Sequence, residues 1–300
     1  MLYFALPNFF ENFYFNGFLH NLNRQRPDMF KTKVSFYSQQ GSWPYHSWSG
    51  GVNSNVGNGA YYNHFIDMQR QAGQPIRINC ANVLLEESDF NDSMSAIMLE
   101  CMNNGSNTIE ISSIPLMEKI ADRYPEYRFT FSKQADLITE FTPELLNEII
   151  ASDKFLYVGI PDKYTRDLEW LRQIKKKNTC EITVNPICPA TCETCDACLL
   201  KEHENQLKYY GARHREACKK NLNIFDPKNV VSIEEIQKTY VKMGYTHFTF
   251  SNTYAVKQEE YWGFLLSYFI KPECLLEAQA MLTEMLQNMM KEGQGGVNYA

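Results

Sequence analysis

The sequence predicts an α/β protein, a (β/α)8-like TIM barrel, and three observations carry that expectation. Short strand-like runs alternate with helical patterns of roughly ten to fifteen residues, the signature of βαβ units and a parallel sheet. At least six such units follow one another in one chain of 300 residues, which favours a closed barrel over an open sheet. The strand-like runs also alternate apolar and polar residues in a constant phase, so one face packs under helices and the other faces a polar lumen.

In order, strands are expected at 33–38, 76–80, 108–112, 128–132, 155–160, 181–185 and 247–251, with helices at 62–72, 90–103, 115–124, 143–151, 166–176 and 233–243. No eighth strand stands out, so the barrel reads as irregular or incomplete at one position. Residues 1–30 read as an aromatic helical segment plugging one barrel end, 31–273 as the barrel with a cysteine-cluster insert at 185–220, and 274–300 as a C-terminal helix with a frayed tail. A further helix is expected at 256–270, and one at 275–290 has Leu275, Leu282, Met285, Leu286 and Met289 at helical spacing.

The polar phase would place Arg77, Glu110, Arg128, Glu181 and His247 in the lumen. Buried charges need partners, so this set reads either as an internal ion-pair network or as a polar ligand site. Asn79, Ser112, Ser132, Asn185 and Ser251 fall at C-terminal strand ends, the face where barrel active sites form. The run after the first expected strand carries Trp43, Tyr45, His46 and Trp48 among glycines and serines. It reads as a self-packed loop or a binding lid. With Asn79 and Ser132, His46 and Trp48 are the candidate substrate-binding residues. The Gly-Lys-Ser/Thr ending of a phosphate loop is missing there.

Net charge is −6, which argues against sequence-independent nucleic-acid binding. The N-terminus lacks a basic region before its apolar run, and no stretch approaches the ~18 apolar residues of a membrane span. A cytoplasmic protein with no membrane partner is the resulting expectation. In that compartment clustered cysteines point to metal rather than disulfides. Cys80, Cys101, Cys180 and Cys274 read as small buried hydrophobes.

The strongest chemical signal is the run 185–198, which holds Cys188, Cys192, Cys195 and Cys198; Cys218 follows after a basic and aromatic stretch. Four of these five thiolates suit a [4Fe–4S] cluster, which a loop with spacings of two and three residues can wrap. Zinc is the alternative, although zinc sites usually pair two knuckles across a longer insert. Cys188-x3-Cys192-x2-Cys195 also matches a radical-SAM string, but it comes after six expected strands rather than the first, with Thr194 before its third cysteine.

The late cluster opening Asn185-x2-Cys188-x3-Cys192, with the closing segments 240–250 and 268–273, resembles the peptidase-like iron–sulfur barrel family. That family includes collagenase-like peptidases, prephenate-dependent tRNA and rRNA hydroxylation proteins, and oxygen-independent ubiquinone-hydroxylation proteins. The resemblance implies a [4Fe–4S] cluster on Cys188, Cys192, Cys198 and Cys218, with Cys195 as the alternate ligand. It implies a redox or hydroxylation-type enzyme acting on RNA or a small polar or aromatic molecule, and relatives that sometimes work in pairs suggest a homo- or heterodimer. Where relatives often carry Glu-Gly-Arg after the last barrel strand, this chain has Ser251-Asn252-Thr253.

Within that reading Arg77 and Arg128 are candidate carboxylate anchors, since guanidinium grips carboxylate bidentately. His247 is the candidate for proton transfer. The second functional class is a non-catalytic binding or scaffold barrel clipped by structural zinc. A peptidase reading finds neither a Gly-x-Ser-x-Gly elbow nor a His-Glu-x-x-His helix.

Overall fold

The strand that closes the barrel lies at the very start of the chain. The computed structural model describes residues 1–41, 47–50, 74–186, 195–209, 225, 228–251 and 257–294. Eight parallel strands run in sequence order around a closed barrel: β1 (Leu2–Leu6), β2 (Val34–Gly41), β3 (Ile76–Cys80), β4 (Thr108–Ile111), β5 (Arg128–Phe131), β6 (Phe155–Gly159), β7 (Cys180–Thr183) and β8 (His247–Thr249). Closure comes from β1, which pairs Leu2 with Val34 on one side and Tyr3 with His247 on the other. The barrel is therefore complete, and residues 1–30 contribute a strand to it instead of only plugging an end. Pro7 ends that strand, and Asn8, at φ 50, turns the chain into helix α1 (Phe9–Gln25).

The expected alternation is present. Phe4, Phe36, Ile78, Ile109, Phe129, Ile182 and Phe248 point outward into two hydrophobic clusters beneath the helices. Phe4 shows how densely this layer packs, with ring contacts to Phe248, Phe250, Tyr268 and Phe269 at centroid distances of 5.0 to 6.1 Å. Such offset and edge-to-face pairs add to the area they bury.

Helices follow most strands: α2 (Ser93–Met102), α3 (Ile114–Arg123), α4 (Pro143–Ala151) and α5 (Leu168–Arg172). Local chemistry starts each of them. Asp92, Ser113, Thr142 and Asp167 cap their N-termini with side-chain oxygens that accept from Met94, Leu116, Leu145 and Trp170 N–H. The helix expected at 166–176 is only five residues long, starting after the Asp167 cap and stopping at Arg172. After β7 come α6 (Cys195–Tyr209) and α7, which runs from Ile233 through a π-helical stretch, Ile236–Tyr240, to Met243. Gly244, at φ 101, closes α7 in the left-handed region open to glycine. Helices α8 (Gln258–Phe269) and α9 (Leu275–Gln294) complete the outer layer.

Buried tyrosines tie this layer together through their hydroxyls: Tyr240 donates to Thr165 C=O, Tyr245 to Leu171 C=O and Tyr268 to Val231 C=O, each at 2.8 Å. Cys80 and Cys180 are buried, and burial raises both thiols, Cys180 to about 12. Cys101 and Cys274 are only half-buried. The helix expected at 62–72 lies outside the described residues. Among the described residues no helix is long and apolar enough to cross a membrane.

Candidate functional site

The lumen is filled by the protein's own polar side chains. Arg77 on β3 reaches Glu181 on β7 with two N–H···O bonds, 2.6 Å to Oε2 and 2.5 Å to Oε1. Both residues are 2% exposed. Tyr37 on β2 donates its hydroxyl to Glu181 and accepts from Arg77 at 3.3 Å. Burial and the Glu181 charge together raise the Tyr37 hydroxyl well above its ordinary value. Burial works against the Arg77 charge, but Glu181 and Tyr37 outweigh it and hold the guanidinium above its ordinary value.

Around this pair sits a ring stack drawn from four strands. His247 lies 4.8 Å from Tyr3, 4.7 Å from Tyr157 and 5.3 Å from Tyr37, centroid to centroid. Burial lowers the His247 pKa, partly opposed by Glu181, so the ring is neutral at pH 7.

Toward the C-terminal end the lining becomes hydroxyls, amides and one lysine. Gln40 donates to Thr249 Oγ1, and Ser132 donates to Glu110 at 2.7 Å. Lys133, immediately past β5, donates to Asp162 at 2.5 Å and to Thr183 Oγ1 at 2.7 Å. Gly159 lets that backbone come close, since a Cβ there would meet Lys133 N at 2.9 Å.

Helix α6 closes over the same end. His203, fully buried, accepts Val83 N–H on Nδ1 at 3.0 Å. Asn82 donates through Nδ2 to His203 C=O and to Ser47 C=O, both at 3.1 Å, while its own N–H goes to Trp48 C=O at 2.9 Å. The loop after β3 thus holds both α6 and the 47–50 segment. Helix α6 begins at Cys195, and Cys198 falls in its first turn.

The structure sorts the sequence-derived candidates by position. Arg77 is in the lumen, but its carboxylate partner is Glu181, and only Nε lacks a hydrogen bond. Arg128 is exposed at the N-terminal end of β5, which takes it out of the lumen that alternation assigned to it. His247 begins β8 and is committed to the ring stack. Asn79 bonds Gly50 on both amide atoms, at 2.8 and 3.0 Å. Ser132 is 1% exposed and bonds Glu110 and Gln134 N–H. Trp48 is 4% exposed with its indole N–H on Asp89 C=O, so it is a packing residue and offers no open stacking face. His46, Cys188, Cys192 and Cys218 lie outside the described residues. Cys198 is half-buried. Among the described residues no three His, Cys, Asp or Glu side chains converge as a metal site.

Sequence reasoning passed over Lys133, Asn82 and His203. Lys133 had a usable signal, since it directly follows a C-terminal strand end. His203 had none: it stands in Lys201-Glu-His-Glu-Asn-Gln206, which reads as a solvated helix face.

No protein-family model matches the sequence, and no curated protein sequence matches it. Among solved structures the chain is similar to that of the U32 peptidase Mk0906, with 11% identity, a TM-score of 0.49, and coverage of 84% of this chain and 93% of that one.

Proposed function

We propose that the cysteine-rich run holds a metal–thiolate centre at the C-terminal mouth of the barrel, and that the protein is an iron–sulfur-dependent enzyme acting there on RNA or a small polar organic substrate. The observation that carries this reading is the docking of α6: the helix that begins with Cys195 and Cys198 is fixed over the mouth by Asn82 and His203. That is the face where barrel chemistry is assembled.

The donor set fits such a group. Cys188, Cys192, Cys198 and Cys218 would be the ligands, with Cys195 as alternate, and thiolates are the donors that iron–sulfur clusters and zinc take. When bound, a [4Fe–4S] cluster supplies one-electron transfer or a Lewis-acidic iron. The chain's own part is to orient and to exclude water. The Arg77–Glu181 pair and the ring stack occupy the lumen below, so a ligand would meet mouth side chains such as Lys133, Glu110 and Gln40. Lys133 is placed to hold an anionic or carbonyl oxygen, and Glu110 to accept a proton or a hydrogen bond.

Iron, zinc and sulfide content with a UV–visible spectrum after anaerobic purification tests this. A brown protein with a broad band near ~400 nm and about four irons per chain is the expected result. A colourless protein with one zinc would replace the enzyme reading with a barrel clipped by structural metal, and a protein binding neither would remove the centre altogether.

A further inference from the structure

The N-terminal end of the barrel, opposite the cysteine run, is where each helix hands the chain on to the next strand. Three of those connections form one surface. Residues 26–33 lead from α1 to β2, 173–179 from α5 to β7, and 244–246 from α7 to β8. Strand β1 lies between the first and the last of them, with Leu2 N–H on Lys33 C=O at 3.2 Å and Tyr3 N–H on Thr246 C=O at 2.9 Å. Gly244 lies against Lys177, whose Cβ and Cδ a Cβ there would meet at 3.7 Å. The start of α9 joins the same surface, because Lys271 N–H bonds Met29 C=O at 2.9 Å and Arg26 bonds Glu277 at 2.7 Å.

This surface is basic. Lys33, Lys175 and Lys242 are exposed and have no acidic partner among the described residues. Lys31, Lys177 and Lys271 donate to the backbone carbonyls of Ser267, Ile174 and Asp28, which leaves their charges unneutralised. Of the acids in these segments, Asp28 and Glu277 are taken up by Arg26, and Glu273 remains. Two apolar side chains stand among the cations: Leu276 is 81% exposed and Val241 38%. The far end of the molecule has the opposite sign, with Glu86, Glu87, Glu259 and Glu260 exposed. We propose that the N-terminal end of the barrel docks on an anionic lipid bilayer, with the lysines at the headgroups and Leu276 and Val241 entering the interface between them.

Cations around apolar tips are the chemistry of an interfacial anchor. A nucleic acid would use the cations and leave both tips in water. A second copy of the chain would set lysines against lysines. The charge separation along the barrel axis also turns the basic end toward a negative surface. This departs from the expectation of no membrane partner, since lying on a bilayer needs no spanning helix. Docked this way, the C-terminal mouth stays in water on the far side. The surface is built without the cysteine run, so the inference does not depend on a metal centre.

The test is sedimentation of the full chain with vesicles of equal parts phosphatidylserine and phosphatidylcholine, against phosphatidylcholine alone. Binding is expected to the anionic vesicles only and to weaken as salt is raised. Lys33→Gln, Lys175→Gln and Lys242→Gln should each weaken it about fivefold. Leu276→Asn with Val241→Asn should weaken it about tenfold through lost apolar burial. Lys119→Gln, an exposed change on α3, should bind as the wild type does. All these side chains are exposed, so the variants should fold normally. Equal binding to phosphatidylcholine alone, binding to neither vesicle, a loss in Lys119→Gln as large as in the others, or apolar variants that bind as before would each overturn the inference. So would a single-stranded oligonucleotide bound more tightly than the vesicles, which would make the face a nucleic-acid surface, or self-association that the lysine variants abolish, which would make it an interface between copies.

Discussion

Arg77 and Glu181 face each other across the barrel lumen from β3 and β7, joined by two hydrogen bonds of 2.6 and 2.5 Å. Between 2% and 3% of either side chain is exposed. Attraction at that depth roughly offsets the cost of burying two charges, but losing one partner strands the other. Arg77→Ala or Glu181→Ala should cost about 3–5 kcal/mol in urea unfolding. A paired Arg77→Met, Glu181→Leu replacement should recover most of that loss. If Arg77→Ala unfolds at the wild-type midpoint, the pair is not holding the lumen together.

The lumen was legible in the sequence and the closing strand was not, for one physical reason. In β2 to β5, β7 and β8 the inward phase is polar, so Arg77 and Asn79, or Glu181 and Thr183, mark strand and face together. In β1 the inward residues are Tyr3 and Ala5, and the outward ones are Leu2, Phe4 and Leu6. All five are compatible with an apolar run, and the aromatic pattern continues past Pro7 into α1, so periodicity could not separate strand from helix. The mouth was half legible. Strand ends named Asn79 and Ser132 correctly as mouth residues, but no pattern could reveal that their polar atoms are spent on Gly50 and Glu110. Arg128 failed for an ordinary reason, since the first residue of a strand lies at the barrel rim.

Gly50 is a sharp steric test of the mouth. A Cβ there would overlap Gln134 Oε1 and sit 2.5 Å from Ala81 O, which is backbone and cannot swing aside. The glycine also exchanges two hydrogen bonds with Asn79. Gly50→Ala should destabilise by about 1–3 kcal/mol through overpacking, visible as a lower urea midpoint with an unchanged slope. An alanine tolerated at full stability would mean that the 47–50 segment is not clamped to β3.

Acid should weaken the fold before its carboxylates titrate. Burial lowers His20, His203 and His247 below the ordinary 6.5, His203 to about 4. As pH falls through about 6.5 the unfolded chain takes up protons that the folded chain refuses. Stability is therefore fully present above that pH and declines toward pH 4. For His203 alone the loss over this window is roughly 3 kcal/mol. Urea unfolding at pH 7, 5.5 and 4.5 should show the decline, and His203→Asn should flatten it by about that amount. A pH-independent midpoint down to 4.5 would show that His203 accepts a proton in the folded state.

Asn82 governs whether α6 stays on the barrel. It is fully buried, and its side chain donates to Ser47 C=O and His203 C=O while accepting Leu84 N–H. Asn82→Ala leaves two buried carbonyls and one N–H without partners, at about 1–3 kcal/mol each where they cannot reach water. The cheapest response is for α6 to lift, because its carbonyls then become hydrated, whereas the barrel ladders have no such escape. Hydrogen exchange should accordingly speed up across 195–209 by tenfold or more in Asn82→Ala, with β3 to β7 still protected. Cys198, half-buried in the wild type, should react faster with a thiol reagent. Equal acceleration in the strands would mean instead that Asn82 supports the whole barrel, and no change in 195–209 would leave His203 Nδ1 as the contact that fixes the helix.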